Sequence, residues 1–144
     1  MKIESKNLKI DFNIKFELPS NLINVNSLKE DYNSTLSFNN YSLRSKSDIN
    51  YSINPKLSGV YFLLNNQKEI IYIGKASNCI RQWILSHLIT EPSKYTSERE
   101  LMKLSLKRQY TKYITYIELN KKDLDLTEIL LIKKIKPVYN VQYK

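Results

Sequence analysis

The chain is short of the residues that build many familiar sites: its 144 residues include one cysteine, one histidine, one tryptophan and two glycines. A lone Cys79 excludes an internal disulfide framework, and with His87 as the only histidine a Cys/His zinc site lacks a ligand set. Any metal must then be held by oxygen ligands and water, which points to magnesium-like ions. No apolar run approaches the roughly 18–20 residues that a membrane-spanning helix needs. The N-terminus, Met1 to Ile10, alternates charged and apolar side chains and has no apolar centre of a secretion signal. The expectation is a cytoplasmic protein with no membrane partner.

What the chain has in excess is positive charge, 23 Lys+Arg against 14 Asp+Glu, for a formal net charge of +9. Residues 1–57 carry 8 basic and 6 acidic side chains, whereas residues 58–144 carry 15 and 8. A basic balance of this kind favours phosphate backbones or anionic surfaces. A solvated lysine-rich surface explains the same totals. The hydrophobic share of 42% is ordinary, and the length suits one domain with a core and an ordered arm.

Residues 7–18 alternate, with Leu8, Ile10, Phe12, Ile14, Phe16 and Leu18 on one side, which predicts a half-buried strand ended by Pro19. Residues 20–57 are rich in Asn and Ser with scattered aromatics and read as irregular structure packed on a main body. From Ser58 the pattern sharpens. Strands over 59–65 and 69–74 form a hairpin, and a helix follows over 78–88 with Asn78 as N-cap. A loop around Pro92 leads to a helix over about 97–108, opened by a Ser97/Glu100 capping box. A strand over 112–119 and a helix over about 123–135, stopped before Pro137, complete the chain. The order β-β-α-α-β-α predicts an α+β fold, a three-stranded antiparallel sheet flanked by helices in residues 58–144. Residues 1–57 are expected to be a strand-containing extension packed on that core.

Both glycines bracket the hairpin, Gly59 two residues before Tyr61 and Gly74 two residues after Tyr72. Glycine is favoured where backbone turns with positive φ or approaches something closely. Each tyrosine taken alone also fits an ordinary core or rim position. In the last helix, apolar residues occupy nearly every direction, yet Glu128 sits among Leu124, Leu131, Ile132 and Ile135. A carboxylate is costly to bury unless it is paired or binds a metal. A salt bridge to Lys121 is the plain alternative.

The run GVY, ten residues, YIGKA, then a helix with Arg and His, then TEILLIKKIKPVYN, resembles the GIY-YIG endonuclease superfamily. The closing segment is similar to the nuclease domain of the bacterial excision-repair subunit UvrC. The resemblance covers roughly residues 58–143. It implies Tyr61 and Tyr72 as the motif tyrosines, one of which helps to activate the attacking water. It also implies Lys75 as a phosphate-stabilising lysine, Glu128 as the metal-binding glutamate, Asn140 as the asparagine of the closing motif, and His87 as a helix histidine. For His87, a packing or surface position is an equal alternative.

The family arginine usually lies ten residues after the second motif tyrosine and four before the helix histidine. Here Arg81 is nine after Tyr72 and six before His87; Gln82 and Trp83 hold the two counted positions. Six residues turn a helix through about 600°, which sets Arg81 and His87 roughly 120° apart. An irregular helix start would still let Arg81 reach the phosphate, and it is read as catalytic. Lys103, Lys107 and Arg108 recur at near-helical spacing and can track a nucleic-acid backbone, although a solvated helix face explains them too. The reading is a Mg²⁺- or Mn²⁺-dependent endonuclease acting on DNA, double-stranded by preference, as a monomer or homodimer. The alternative is a catalytically weakened relative that binds DNA or a partner.

Overall fold

The computed structural model describes residues 2–4, 9–11, 18–19, 21–29 and 57–140. Strand β1 (Lys2–Glu4) pairs antiparallel with β2 (Lys9–Asp11) as a separate two-stranded sheet. Of the strand expected over 7–18, Lys9–Asp11 is a strand and Leu18 is not; residues 7–8 and 12–17 of that reading, and residues 20 and 30–56 of the irregular stretch, lie outside the described residues.

The main sheet consists of β3 (Ile23–Asn24), β4 (Gly59–Leu64), β5 (Ile70–Ala76) and β6 (Tyr113–Glu118), in the order β3-β6-β4-β5 with antiparallel pairing throughout. The expected three-stranded sheet is present, extended at one edge by two residues of the N-terminal segment. The hairpin turn is built by Asn65, whose Oδ1 accepts hydrogen bonds from the backbone N–H groups of Gln67 and Glu69 at 3.0 and 2.9 Å. This side-chain-to-backbone bonding is the usual reason for Asn in turns.

Three helices complete the layers: α1 (Ile80–Leu88), α2 (Glu98–Tyr110) and α3 (Leu124–Ile135). The α2 cap forms as the sequence implies, with Ser97 Oγ accepting from Glu100 N at 3.2 Å. Asn78 does not cap α1. The N-cap position is Cys79, held in the left-handed region at φ 52°, while the Ile80 N–H donates to Leu57 O at 2.9 Å. At its far end α3 closes with Lys136 at φ 54°, and Pro137 prevents its continuation.

β4 is buried on both faces. Tyr61 and Leu63 pack with Ile80, Ile84, Leu85 and Leu88 of α1, whereas Val60, Phe62 and Leu64 pack with Leu124, Leu131 and Ile132 of α3. A strand sandwiched in this way needs apolar residues at every position, as GVYFLL supplies. Val25 and Leu28, in a helical turn over residues 25–29, enter the α1-side core, and Thr115 Oγ1 donates to Asn21 O at 3.1 Å.

β5 is the outer strand on one side, and its edge is covered by the segment after α3. Tyr139 N donates to Ile71 O at 3.0 Å, and the Asn140 amide both accepts from Ile73 N (2.8 Å) and donates to Ile73 O (2.9 Å). An unpaired strand edge invites association, and this side-chain clamp satisfies it. Leu28 is fully buried, so Leu28→Ala is expected to cost about 2–5 kcal/mol and lower Tm by roughly 6–15 °C. Thermal unfolding checks this; an unchanged Tm would mean that residues 25–29 lie outside the cooperative core.

Candidate active site

The hairpin register places the two motif tyrosines. Tyr61 lies opposite Gly74 and Tyr72 opposite Leu63, so both rings project to the α1 side of the sheet. Their centroids are 6.3 Å apart, and the His87 ring from α1 lies 5.8 Å from Tyr61 and 4.8 Å from Tyr72. Neither glycine has positive φ. Both are there for close approach. A Cβ at Gly74 would collide with the phenol head of Tyr61, and one at Gly59 with the carbonyl oxygen of Ile117.

These groups line a cleft of about 610 Å³ together with Lys75, Trp83, Lys121, Asp125 and Glu128. Asp125 and Glu128 are three residues apart and share a face of α3. The Lys75 ammonium bonds to Asp125 and lies 3.9 Å from Glu128 Oε1. Burial raises the Glu128 carboxyl above the usual carboxylate range, the Lys75 cation pulls it back, and the Asp125 charge adds a smaller upward push. Two neighbouring carboxylates in a half-buried wall are stabilised by a cation. Among the described residues no cluster of three or more His, Cys, Asp or Glu side chains could hold a metal. An ion at Glu128 and Asp125 would therefore keep water and phosphate oxygens as its other ligands. The donor set fits a magnesium-like ion, which keeps several waters and takes one or two carboxylates.

Lys107 of α2 approaches from behind the rings. Its Nζ is 3.1 Å from His87 Nδ1 and 4.4 Å from the Tyr72 ring centroid. An ammonium has no acceptor, so His87 Nδ1 must accept and its proton sits on Nε2. Burial, then the charges of Lys107 and Arg108, lower the His87 pKa to about 3, which makes it a neutral donor at physiological pH. Lys107 is itself lowered to about 8, by burial first and by Lys103 second. Burial raises both phenols, and Glu128 raises them further. The two hydroxyls act on each other in opposite senses, raising Tyr61 and lowering Tyr72, so Tyr72 is the phenol that gives up its proton more readily.

The structure thus gathers Tyr61, Tyr72, Lys75, His87 and Glu128 at one cleft, and it separates other residues from that lining. Arg81 does not line the cleft; it is 2% exposed and points into the core side of α1. The left-handed Cys79 and the Leu57 anchor fix the helix phase so that Trp83 and His87, one turn apart, face the cleft. Arg81, two residues before Trp83, then lies about 200° around the helix. Asn140 is not in the cleft either, because both ends of its amide are used on the Ile73 backbone. Arg108 caps α1, donating from Nε to His87 O at 3.1 Å and from Nη2 to Ser86 O at 3.4 Å and to Thr90 O. Lys103 is half-buried beside Lys107 and outside the lining. Asp125, Lys121 and Trp83 line the cleft without having been singled out as site residues. For Asp125 the signal was its three-residue spacing from Glu128, and for Trp83 its four-residue spacing from His87.

A hairpin presenting GVY and YIG tyrosines, flanked by helices with a glutamate on the last, has the architecture of a GIY-YIG domain. The chain belongs to the UvrC-like GIY-YIG domain family, whose profile matches residues 57–141. The UvrABC system protein C of Helicobacter hepaticus is 34% identical over 92 residues, covering 60% of this chain and 14% of that protein. Its counterpart in Borrelia garinii subsp. bavariensis is 37% identical over 91 residues (62% and 14%). That of Mycoplasmoides gallisepticum is 34% identical over 106 residues (73% and 16%). The chain therefore matches about one-seventh of the length of these curated relatives. The GIY-YIG N-terminal endonuclease domain of UvrC from Thermotoga maritima, bound to its catalytic divalent cation magnesium, has a TM-score of 0.48. It is 27% identical, covering 60% of this chain and 86% of that one.

With one histidine in the chain, ring resonances need no assignment. His87 is expected to stay neutral as an Nε2–H tautomer from pH 8 down to roughly 4.5, read by ¹H–¹⁵N NMR, and Lys107→Met should move its pKa upward. Because the folded pKa is depressed from about 6.5, the stability contributed by neutral His87 is full above that pH and is lost as pH falls toward 3. A ring that titrates near 6.5 in the intact protein contradicts this environment.

Proposed function

We propose that this chain is a metal-dependent endonuclease that hydrolyses phosphodiester bonds in DNA. The observation that carries the reading is the convergence of Tyr61, Tyr72, His87, Lys75 and Glu128 on one cleft. A divalent cation held by Glu128, with Asp125 beside it, would supply charge neutralisation at the phosphate and at the leaving oxygen. Tyr72 is the candidate for taking the proton from the attacking water, helped by the neighbouring Tyr61 hydroxyl, which lowers its pKa. With Nδ1 taken up by Lys107 and a pKa lowered to about 3, His87 is a poor base at pH 7; its Nε2–H is a donor for a phosphate oxygen or for the Tyr72 oxygen. Lys75, exposed on β5 at the cleft, supplies positive charge to the phosphate. We read Lys103 and Lys107 as adding to the positive field behind the site, and the action on DNA as cytoplasmic.

We read residues 58–144 as the nuclease domain and residues 1–57 as an extension packed on it, contributing substrate or dimer contacts. The burial of Val25 and Leu28 and the pairing of β3 support that division. A second reading, a weakened relative that binds DNA without turnover, is favoured by one observation: Trp83 faces the cleft while Arg81 is buried away from it.

Plasmid nicking in Mg²⁺ or Mn²⁺ tests the proposal. Tyr72→Phe is expected to lower the rate roughly 10²–10⁴-fold, and Glu128→Ala or EDTA to abolish cutting. Because the Tyr72 pKa is raised, the rate of the native protein should climb with pH between about 6 and 9. Equal nicking by native protein and both variants would assign the activity elsewhere. Salt-sensitive binding without cutting in any metal would select the second reading.

A further inference from the structure

Trp83 has no role in the chemistry above, yet it is 51% exposed and lines the same cleft as the two phenols and Glu128. The helix that carries it buries Ile80, Ile84, Leu85 and Leu88 on its other side, so the indole is not left out by poor patterning. Ligand-binding clefts are commonly lined by aromatic side chains, and this indole presents its face to one. Trp83 precedes His87 by one helical turn, about 6 Å along the axis. The ring therefore stands next to the position where a phosphate would meet His87 and Lys75. Lys121, also in the lining, is an exposed cation, and the chain as a whole carries +9. An aromatic face inside a positively charged surface is the combination by which proteins hold unpaired nucleotides, with the bases stacked and the backbone neutralised.

We propose that Trp83 is a stacking platform for an unstacked nucleobase of the DNA strand, next to the phosphate in the cleft. This rests on the nuclease reading and names its substrate class: DNA that is single-stranded, gapped or unpaired near the cut. Within an intact duplex both faces of a base are covered by its neighbours, and freeing one costs a few kcal/mol. A mismatched or single-stranded segment has already met that cost. The platform thus gives selectivity for local distortion without reading sequence, since every base has a π-face.

Trp83 is the only tryptophan in the chain, so its emission reports on this position alone. The 144-residue chain in EDTA is titrated with three DNAs of equal length: a single strand, a duplex with a short central bubble, and a fully paired duplex. The expected result is strong quenching by the first two and weak quenching by the third. Trp83→Ala should weaken bubble binding, followed by anisotropy of a labelled oligonucleotide, roughly 5- to 100-fold, and Trp83→Phe should keep most of it. Affinity for the paired duplex should hardly change in either variant. In Mg²⁺ the native protein should cut the bubble faster than the paired duplex, and Trp83→Ala should erase that preference. Binding and cutting with unchanged emission, or bubble affinity untouched in Trp83→Ala, overturns the platform and leaves the nuclease reading standing. Failure of the native protein to bind or cut any of the three DNAs overturns both.

Discussion

The site depends on a ring lying on bare backbone. Tyr61 sits over the α-carbon of Gly74, across one register pair of the β4–β5 hairpin, and no other residue at 74 leaves room for its hydroxyl end. That contact keeps the phenol inside the layer between sheet and α1, only 1% exposed, while its hydroxyl still reaches Tyr72 and the field of Glu128. Gly59 performs the matching task on the other side of β4, where the carbonyl of Ile117 needs the space of a missing side chain. Two glycines thus fix two interlocked registers, β4 against β5 and β4 against β6. A slip of one residue would send Tyr61 and Tyr72 to the α3 side of the sheet, away from His87.

Burial of this kind sets the electrostatics. A phenol pair, an imidazole and an ammonium are packed within a few ångströms, and desolvation is the first cause of every shift among them. It disfavours whichever form is charged, keeping the phenols protonated and the imidazole neutral. Lys107 is the exception in practice: its pKa of about 8 leaves it mostly charged at pH 7, and the aromatic face of Tyr72 and the lone pair of His87 are what receive it. One cation therefore fixes the tautomer of the histidine and lies against the ring of the phenol most ready to ionise. The carboxylates stand across the cleft on a different helix, so the phenols and the carboxylates come from opposite layers of the fold and meet at one cleft.

Much of this was readable in the sequence because it is local. The hairpin, the Ser97 cap and the stop before Pro137 follow from short-range chemistry, and a glutamate inside an apolar helix announced itself. For two residues that the structure sets outside the cleft lining, the partners are far away in the chain. Asn140 is consumed by the Ile73 backbone 67 positions earlier, and Arg108 by carbonyls at the end of α1. Arg81 met neither count, from Tyr72 or from His87, and was read as catalytic on the strength of an irregular helix start. The start is irregular, with Cys79 left-handed, yet the phase that it sets leaves Arg81 buried and outside the cleft lining. Counting back from His87, within the helix itself, picks out Trp83, which does face the cleft.

An indole at that position bears on what the cleft can offer a ligand. A guanidinium offers fixed donors to a phosphate and a permanent charge; an indole offers one N–H and a large apolar face. Positive charge stands nearby instead, since Lys75 and Lys121 border the same cleft and Lys107 lies behind the rings. None of these presents the planar two-pronged donor that grips a phosphate in one orientation. On the proposed reading, a site built in this way would hold its substrate less by the phosphate and more by whatever covers the indole. Selectivity would then reside less in the uniform charge of the backbone and more in the state of the base beside it.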